Sequence, residues 1–198
     1  MSARIVVVSG SAREESKVYD VVRIATTTAR AAGAEVREVL LHALRLPIMD
    51  HGDPSQAALA SVQEVRESAA WANGFILVTP EYHGNMSGCL KNWFDFLYLE
   101  LAGKLAGVVA VTGGGCGDMS ITAVKNSFAW CHGFTLPFHA AARSPDFKDG
   151  ALASARVSDR IQRIAYDVVR YAPVIHATFN AARELGAGQE SGVAGMHL

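Results

Sequence analysis

The stretch Gly74–Thr79, with the sequence GFILVT, is the strongest indication of the fold. Apolar side chains occupy both the odd and the even positions of this run. Because successive side chains of a strand point to opposite faces, both faces of a strand formed here would be apolar. This pattern is typical of a central strand in a parallel sheet, because helices cover both faces of such a sheet. Pro80 follows directly. It predicts the end of the strand, since proline has no N–H to donate to a neighbouring strand.

Further runs extend the predicted sheet. Arg4–Val8 is rich in β-branched residues, and Gly107–Thr112 is fully apolar until it reaches consecutive glycines. Both are predicted as buried strands. Glu35–Leu41 carries more charge and is predicted as a less central strand, and Thr135–Ala140 is predicted as a fifth.

Segments with helical periodicity lie between these strands. Apolar residues at intervals of three and four indicate a helix that begins near Lys17. Asp53-Pro54 is a typical helix start, with Asp at the cap and Pro in the first turn. The predicted helices run from about Lys17 to Ala32, Asp53 to Ala72, Cys89 to Leu99, Met119 to Cys131 and Ser158 to Tyr171. Strands that alternate with helices predict an α/β fold, with a parallel sheet covered on both faces.

The length of 198 residues fits one domain, and no repeat or linker divides the chain. We assign residues 1–178 to this domain. Residues 179–198 form a Gly- and Ala-rich tail that is expected to be partly mobile.

The charge balance does not point to nucleic acid or a membrane surface as a partner. The formal net charge is −1, with 18 basic and 19 acidic residues, so no electrostatic argument favours nucleic acid or a membrane surface. The apolar run near the N-terminus is too short for a signal peptide or a membrane span, and we expect a cytoplasmic protein.

The cysteines and histidines predict no metal site. Cys89, Cys116 and Cys131 are widely spaced and form no Cys-x-x-Cys pair, and the histidines match no ligand motif. The cysteines are interpreted as reduced thiols that pack as small hydrophobes. Cys116 stands beside glycines, where a redox role is the alternative.

The most unusual residues follow the predicted strands directly. In an open α/β sheet, ligands bind beyond the carboxyl ends of the strands. Residues 9–17, Ser-Gly-Ser-Ala-Arg-Glu-Glu-Ser-Lys, join the first strand to the first helix. Hydroxyl groups, a guanidinium and a helix N-terminus can all donate to an anion. The loop lacks the glycine pattern of a dinucleotide or triphosphate site, so a phosphomonoester fits better. An ordinary Ser-capped helix is the alternative.

Two further loops have features that suit a flat ligand. Residues 79–85, Thr-Pro-Glu-Tyr-His-Gly-Asn, can present backbone groups to the edge of a heterocycle while Tyr82 borders its face. Residues 112–118, Thr-Gly-Gly-Gly-Cys-Gly-Asp, allow close approach of the backbone. Taken alone, each is also compatible with an ordinary turn.

Together these residues resemble the NADPH-dependent FMN reductase family of flavodoxin-like proteins. That family has Gly-Ser-x-Arg-x-x-Ser after its first strand, which Gly10, Ser11, Arg13 and Ser16 match in order. Its most specific motif is Pro-Glu-Tyr-Asn-Gly, followed by Gly-x-Leu-Lys-Asn. Here residues 80–84 are Pro-Glu-Tyr-His-Gly, and residues 88–92 are Gly-Cys-Leu-Lys-Asn. The similarity extends from about residue 4 to residue 171.

The resemblance implies a flavodoxin-like three-layer sandwich, in which a five-stranded parallel sheet has the order 2-1-3-4-5. It implies an oxidoreductase that binds FMN and uses NADPH or NADH to reduce a small acceptor, such as a quinone, an azo compound, free flavin or a metal oxyanion. The cofactor carries the chemistry, so no catalytic side chain is assigned. The resemblance also implies a homodimer or homotetramer.

By resemblance, each loop holds a different part of FMN. The first loop holds the phosphate, the second borders the isoalloxazine, and the third lies near the other polar edge of the ring. The predicted cofactor-binding residues are Ser9, Ser11, Arg13, Ser16, Lys17, Val18, Pro80, Glu81, Tyr82, His83, Gly84, Thr112, Gly113, Gly114 and Gly115.

Three positions depart from the family pattern. His83 stands where Asn is usual, Lys17-Val18 replaces a pair such as Phe-Asn, and Ser87 replaces a frequent Pro. These departures bear on the electron donor and the rate at which it is used. They allow a regulatory flavoprotein with little turnover as an alternative. A flavodoxin-like electron carrier is a second alternative, and the net charge of −1 argues against it, because flavodoxins are commonly strongly acidic. A hydrolase is disfavoured, because Ser11 does not lie in Gly-x-Ser-x-Gly.

Overall fold

A computed structural model describes residues 2–197. Its main sheet contains β1 (Arg4–Ser9), β2 (Glu35–Leu40), β3 (Gly74–Pro80), β4 (Leu105–Thr112), β5 (Phe134–Thr135) and β6 (Ala140–Arg143). The order is β2-β1-β3-β4-β5, with β6 also paired to β4, and these pairings are parallel. The predicted flavodoxin-like α/β fold and its 2-1-3-4-5 order are confirmed.

The helices cover the sheet on both faces. They are α1 (Val18–Ala31), α2 (Leu41–Leu44), α3 (Ala60–Trp71), α4 (Gly88–Asp95), α5 (Asp118–Trp130) and α6 (Ala155–Arg183). One apolar core lies between the sheet and α1 with α6, and a second lies between the sheet and α3, α4 and α5. Every residue of β3 and β4 is buried, as the two-sided apolar pattern of these strands predicts.

The predicted fifth strand, Thr135–Ala140, is wrong in its details. Two short strands, β5 and β6, lie there instead, and residues 136–139 between them are not in a strand. Pro137 lies in this gap and has no N–H for a ladder hydrogen bond. Both short strands pair with β4, so the sheet gains a second, offset edge segment.

Two predicted helices have different bounds. The segment predicted as one helix from Asp53 to Ala72 is a 3-10 helix, Pro54–Ala58, followed by α3. Leu59 separates them with an extended backbone, at φ −68° and ψ 133°. The helix predicted from Cys89 to Leu99 ends earlier, at Asp95, and a separate 3-10 helix covers Leu99–Leu101.

The predicted end of the last helix at Tyr171 is also wrong. Helix α6 continues to Arg183 with Pro173 inside it, so it crosses the boundary predicted after residue 178. Residues Gln189–His197 then form a kinked 3-10 segment. Ala194 of this segment is buried in a small cluster with Ala102 and Phe179. The tail therefore has regular structure of its own. Within residues 2–197, no helix is long and apolar enough to cross a membrane.

A hairpin that the sequence analysis did not predict follows β6. Its strands are β7 (Phe147–Lys148) and β8 (Ala151–Leu152), and Asp149 and Gly150 at the tip have φ of 52° and 82°. The Leu152 N–H donates to the Asp20 carboxylate of α1. Phe147 and Leu152 also pack against the core beside α1. These contacts hold the hairpin at the carboxyl end of the sheet.

Candidate functional site

A cavity of about 490 Å³ opens at the carboxyl ends of β1, β3 and β4. Nine predicted residues line it: Arg13, Ser16, Lys17, Val18, Pro80, Glu81, Tyr82, Thr112 and Gly113. The three loops selected from the sequence therefore meet around one space, as the topology of an open parallel sheet favours. Its volume lies within the range of about 300–1,000 Å³ usual for small-molecule and cofactor sites.

The other predicted residues do not line this cavity. Ser9 and Ser11 are buried at the start of the first loop, and His83 and Gly84 form the turn beyond Tyr82. Gly114 and Gly115 lie further along the glycine loop.

The first loop is held in shape from below. The Gly10 N–H donates to the Val78 carbonyl at 2.7 Å, and the Ser87 hydroxyl donates to the Gly10 carbonyl at 2.5 Å. A Cβ on residue 10 would lie 2.8 Å from that Val78 oxygen, so only glycine allows this close approach. The loop is thus anchored on the neighbouring strand and on the start of α4.

Hydroxyl groups close the turns inside this loop. The Ser11 hydroxyl accepts from the Arg13 N–H at 3.1 Å, and the Ser16 hydroxyl accepts from the Val18 N–H at 3.3 Å. Tyr19 donates its hydroxyl to the Arg13 carbonyl at 3.1 Å. The backbone of Arg13 is therefore fixed, while its side chain is exposed at the cavity.

The second loop contains a tight turn, and His83 lies within it. Tyr82 and Asn85 exchange backbone hydrogen bonds, each of 3.0 Å, so His83 and Gly84 are the two central residues of a hairpin turn. Both have positive φ, 52° for His83 and 70° for Gly84. Asn and Gly are the residues favoured in such turns. The family's usual Asn-Gly therefore has a backbone reason, and His83 occupies the same conformation at some cost.

The third loop is mainly exposed glycine backbone, with its ends held. Thr112 donates its hydroxyl to the Gly115 carbonyl at 2.8 Å, and Gly117 precedes α5 with φ 80°. A Cβ on Gly113 or Gly114 would meet no atom within 4 Å. The backbone of both residues is therefore open to a ligand that approaches the cavity.

A fourth wall, not predicted from the sequence, comes from the segment before and within the hairpin. Ser144 and Gly150 line the cavity, and Lys17 donates to the Ser144 hydroxyl at 3.5 Å. The Lys17 ammonium also lies 5.1 Å from the centre of the Phe147 ring. The Asp149-Gly150 dipeptide was the available sequence signal for this turn. Glu15 and Val111 also line the cavity and were not predicted.

A second cavity, of about 430 Å³, lies on the other side of the first loop. It is bordered by the connector after β2 and by the start of α4, including His42, Arg45 and Cys89. Its lining does not include the Tyr82 loop or the glycine loop. We therefore assign the ligand-binding role to the cavity where all three loops meet.

The chain is also similar in sequence to known proteins. A family model described as NADPH-dependent FMN reductase matches residues 3–146. An NADPH azoreductase of Bacillus sp. strain OY1-2 is 32% identical over 127 residues, which are 63% of this chain and 68% of that protein. The NADPH-dependent FMN reductase ArsH of Rhizobium meliloti is 26% identical over 177 residues, 85% of this chain and 71% of that protein.

A solved structure has the same fold. FerB of Paracoccus denitrificans, a flavoenzyme NAD(P)H:(acceptor) oxidoreductase, superposes with a TM-score of 0.71 at 20% identity. The match covers 87% of this chain and 98% of that one.

Proposed function

The chain belongs to the NADPH-dependent FMN reductase family, and from this membership we propose that the cavity between the three loops holds FMN. The protein is an FMN-dependent oxidoreductase driven by NAD(P)H. A quinone, an azo compound, free flavin or a metal oxyanion is the electron acceptor in this proposal. An electron carrier or a regulatory flavoprotein without turnover is not favoured, since the relatives are named as reductases.

One observation carries the assignment of the site. Residues from the ends of β1, β3 and β4 line a single cavity, although they are up to 100 positions apart in sequence between Arg13 and Gly113. The opposite ends of this cavity differ in chemistry, and each end suits a different part of FMN.

The end formed by the first loop suits the phosphate. Arg13 and Lys17 supply positive charge, and Ser16 adds a hydroxyl. Helix α1 begins directly after Lys17, and its Val18 and Tyr19 N–H groups already bond to the Ser16 hydroxyl and carbonyl. The positive end of the helix dipole therefore lies at this loop. A dianionic phosphate here would be stabilised by the Arg13, Lys17 and Ser16 side chains and by the helix dipole.

The other end suits the flavin ring. Tyr82 is 46% exposed beside the cavity, and Gly113 presents backbone without a side chain. Peptide N–H and C=O groups can pair with the polar edge of the ring, while Tyr82 borders its face.

Bound FMN supplies the redox chemistry, accepting electrons from the nicotinamide and passing them on. The protein binds and orients it, and Tyr82 and His83 shape the acceptor pocket in our proposal. We also propose that FMN contacts only residues within 1–178. The protein is cytoplasmic in this proposal.

We propose that the protein is a homodimer or homotetramer. Trp130 and Met119 lie at opposite ends of α5 and are 81% and 68% exposed. Met119 also lies beside Gly84 of the Tyr82 loop. Large exposed apolar side chains on one helix are typical of an interface. Light scattering of the purified protein measures the assembly, and a monomer at all concentrations would exclude it.

Absorbance spectroscopy tests the proposed function. The purified protein should bind FMN tightly and shift its visible band, and acid should release the pigment unchanged. Anaerobic NADPH or NADH should then bleach the band, and a quinone or azo dye should restore it. A folded protein that stays colourless with excess FMN would exclude the site. A yellow protein that neither nicotinamide bleaches would instead support the regulatory alternative.

A further inference from the structure

Glu81, which lies in the most specific sequence motif and in the wall of the cavity, bonds through its side chain to the first turn of α5. One oxygen of its carboxylate, Oε2, accepts from the Ser120 N–H at 3.3 Å and from the Ser120 hydroxyl at 3.0 Å, and this hydroxyl is shared with the Gly117 carbonyl at 2.9 Å. Ser120 lies in the first turn of α5 and is fully buried. The carboxylate therefore occupies the helix N-terminus, where both the N–H groups and the helix dipole stabilise a negative charge.

The second carboxylate oxygen, Oε1, lies against the glycine loop. A Cβ on residue 115 would be only 2.7 Å from it. Real Cβ atoms do not approach an oxygen so closely, so an alanine there would push the carboxylate aside. No positive φ requires glycine at position 115. Position 115 therefore needs glycine because the Glu81 carboxylate occupies the space that a Cβ would take.

The same helical turn also contacts the Tyr82 loop. A Cβ on Gly84 would lie 3.0 Å from the Met119 sulfur, so Met119 already covers this turn. The Glu81 N–H donates to the Val111 carbonyl at 2.9 Å, which ties the start of the loop to β4. The first turn of α5 thus touches both loops assigned to the ring.

We propose that Glu81 is a positioning residue for the flavin ring rather than one of its ligands. Its carboxylate joins the Tyr82 loop to the glycine loop through the N-terminus of α5. This link sets the spacing between the Tyr82 loop and the glycine loop, and the flavin ring must fit within that spacing. This inference rests on the proposed function, because it concerns the same cavity.

Binding of FMN and riboflavin to matched variants tests the proposal. Glu81→Ala should weaken both ligands by about tenfold or more, since a hydrogen-bonded charge is lost at the ring end. Because riboflavin lacks the phosphate, an equal loss for both ligands places the effect at the ring. Glu81→Gln keeps an oxygen that accepts from Ser120, and it should recover most of the affinity.

Gly115→Ala provides the decisive comparison. In the parent protein it should weaken both flavins several-fold, because the new Cβ moves the Glu81 carboxylate from its place beside Ser120. In the Glu81→Ala background the same substitution should cost less than about twofold, since no carboxylate remains to collide. A substitution that acts only by altering the glycine backbone would cost the same in both backgrounds.

Controls separate this inference from a folding defect. Glu64→Ala removes one negative charge from the exposed surface of α3 and should leave flavin binding unchanged. If Glu81→Ala does not fold, Ser120→Ala tests the same contact, because it removes one of the two donors. Equal effects of Gly115→Ala in both backgrounds would overturn the proposal. So would unchanged flavin affinity in folded Glu81→Ala. If the parent protein binds no flavin at all, the proposed function fails instead.

Discussion

The two ends of the cavity are built from different materials. At the end formed by the first loop, exposed side chains of Arg13 and Lys17 carry the chemistry. At the ring end, the loops are held by partly buried hydrogen bonds, such as that from Thr112 to Gly115 and those from Ser120 to Glu81. A charged group can be bound by flexible cations, whereas a flat ring needs surfaces at a fixed spacing. The comparison predicts that substitutions at the two ends affect FMN and riboflavin differently.

The largest difference between the ends is expected for Arg13→Ala. Losing a charge-assisted hydrogen bond to phosphate costs about 1.5–3 kcal/mol, so FMN should bind roughly ten- to a hundredfold more weakly. Riboflavin binding should not change, because it has no phosphate. Fluorescence quenching of each flavin measures both constants.

Two variants sharpen this prediction. Lys17→Met should have a smaller effect in the same direction, because Lys17 is exposed and also contacts Ser144. Arg156→Ala, at the exposed start of α6, is the charge-matched control and should bind both flavins normally. If Arg13→Ala weakens riboflavin as much as FMN, the assignment of the phosphate end is wrong.

A smaller effect, shared by both ends, is expected for Ser87→Ala. The Ser87 hydroxyl donates to the Gly10 carbonyl and accepts from the Leu90 N–H at the start of α4. Losing such a cap costs about 1 kcal/mol of folding free energy, and the Cys89 thiol still donates to the Gly10 carbonyl at 3.0 Å. Thermal unfolding should show a lower Tm. Both flavins should bind more weakly, and FMN should lose more than riboflavin. Ser87 lies beneath the first loop, which is assigned to the phosphate, and its N–H also donates to Thr79 of β3.

Ser154→Ala gives the matched comparison for Ser87. Ser154 caps α6 by accepting from the Val157 N–H at 3.4 Å, away from the cavity loops. It should lower the Tm without changing either flavin constant. A Ser87→Ala protein that loses stability but binds both flavins normally would show that the first loop does not depend on this anchor.

The smallest effect concerns the hairpin that forms the fourth wall. Burial raises the pKa of Asp20, but hydrogen bonds from Arg23 and from the Leu152 N–H outweigh it and lower the pKa below its ordinary value of 3.8. The carboxylate therefore stabilises the fold above pH 3.8, and this contribution is lost as the pH falls through the lower folded value.

Thermal melts across this pH range measure the effect. Asp20→Asn should lower the Tm at neutral pH, and its difference from the parent protein should shrink as the pH falls below 3.8. Asp159→Asn, at an exposed ion pair of α6, serves as the control and should show little difference at any pH. A constant difference for Asp20→Asn down to the lowest pH would contradict the ionic role of Asp20.

Local pattern determined most of the fold. The strands β3 and β4 are buried on both faces, and such runs of apolar residues have few other stable arrangements. Alternation with helices then predicts the parallel sheet, while its 2-1-3-4-5 order came from the family motifs. Pro137 is a break in the sequence of the last predicted strand. The division into two strands also depends on pairing with β4, because β5 and β6 pair with different parts of β4. Helix α6 continued beyond its predicted end because tertiary contacts of Phe179 and Ala194 bury residues whose periodicity was weak.

The sequence by itself therefore determined which loops carry unusual residues and that these loops lie at one edge of the sheet. Only the tertiary structure decided which of their side chains point into the cavity. Glu81 looked like a ligand in the motif, yet it bonds to Ser120, 39 positions away. The hairpin with Gly150 also entered the site through its contact with Asp20 of α1. Local sequence encodes backbone preference and burial over a few residues, whereas these contacts join segments that meet only after the sheet and helices have packed.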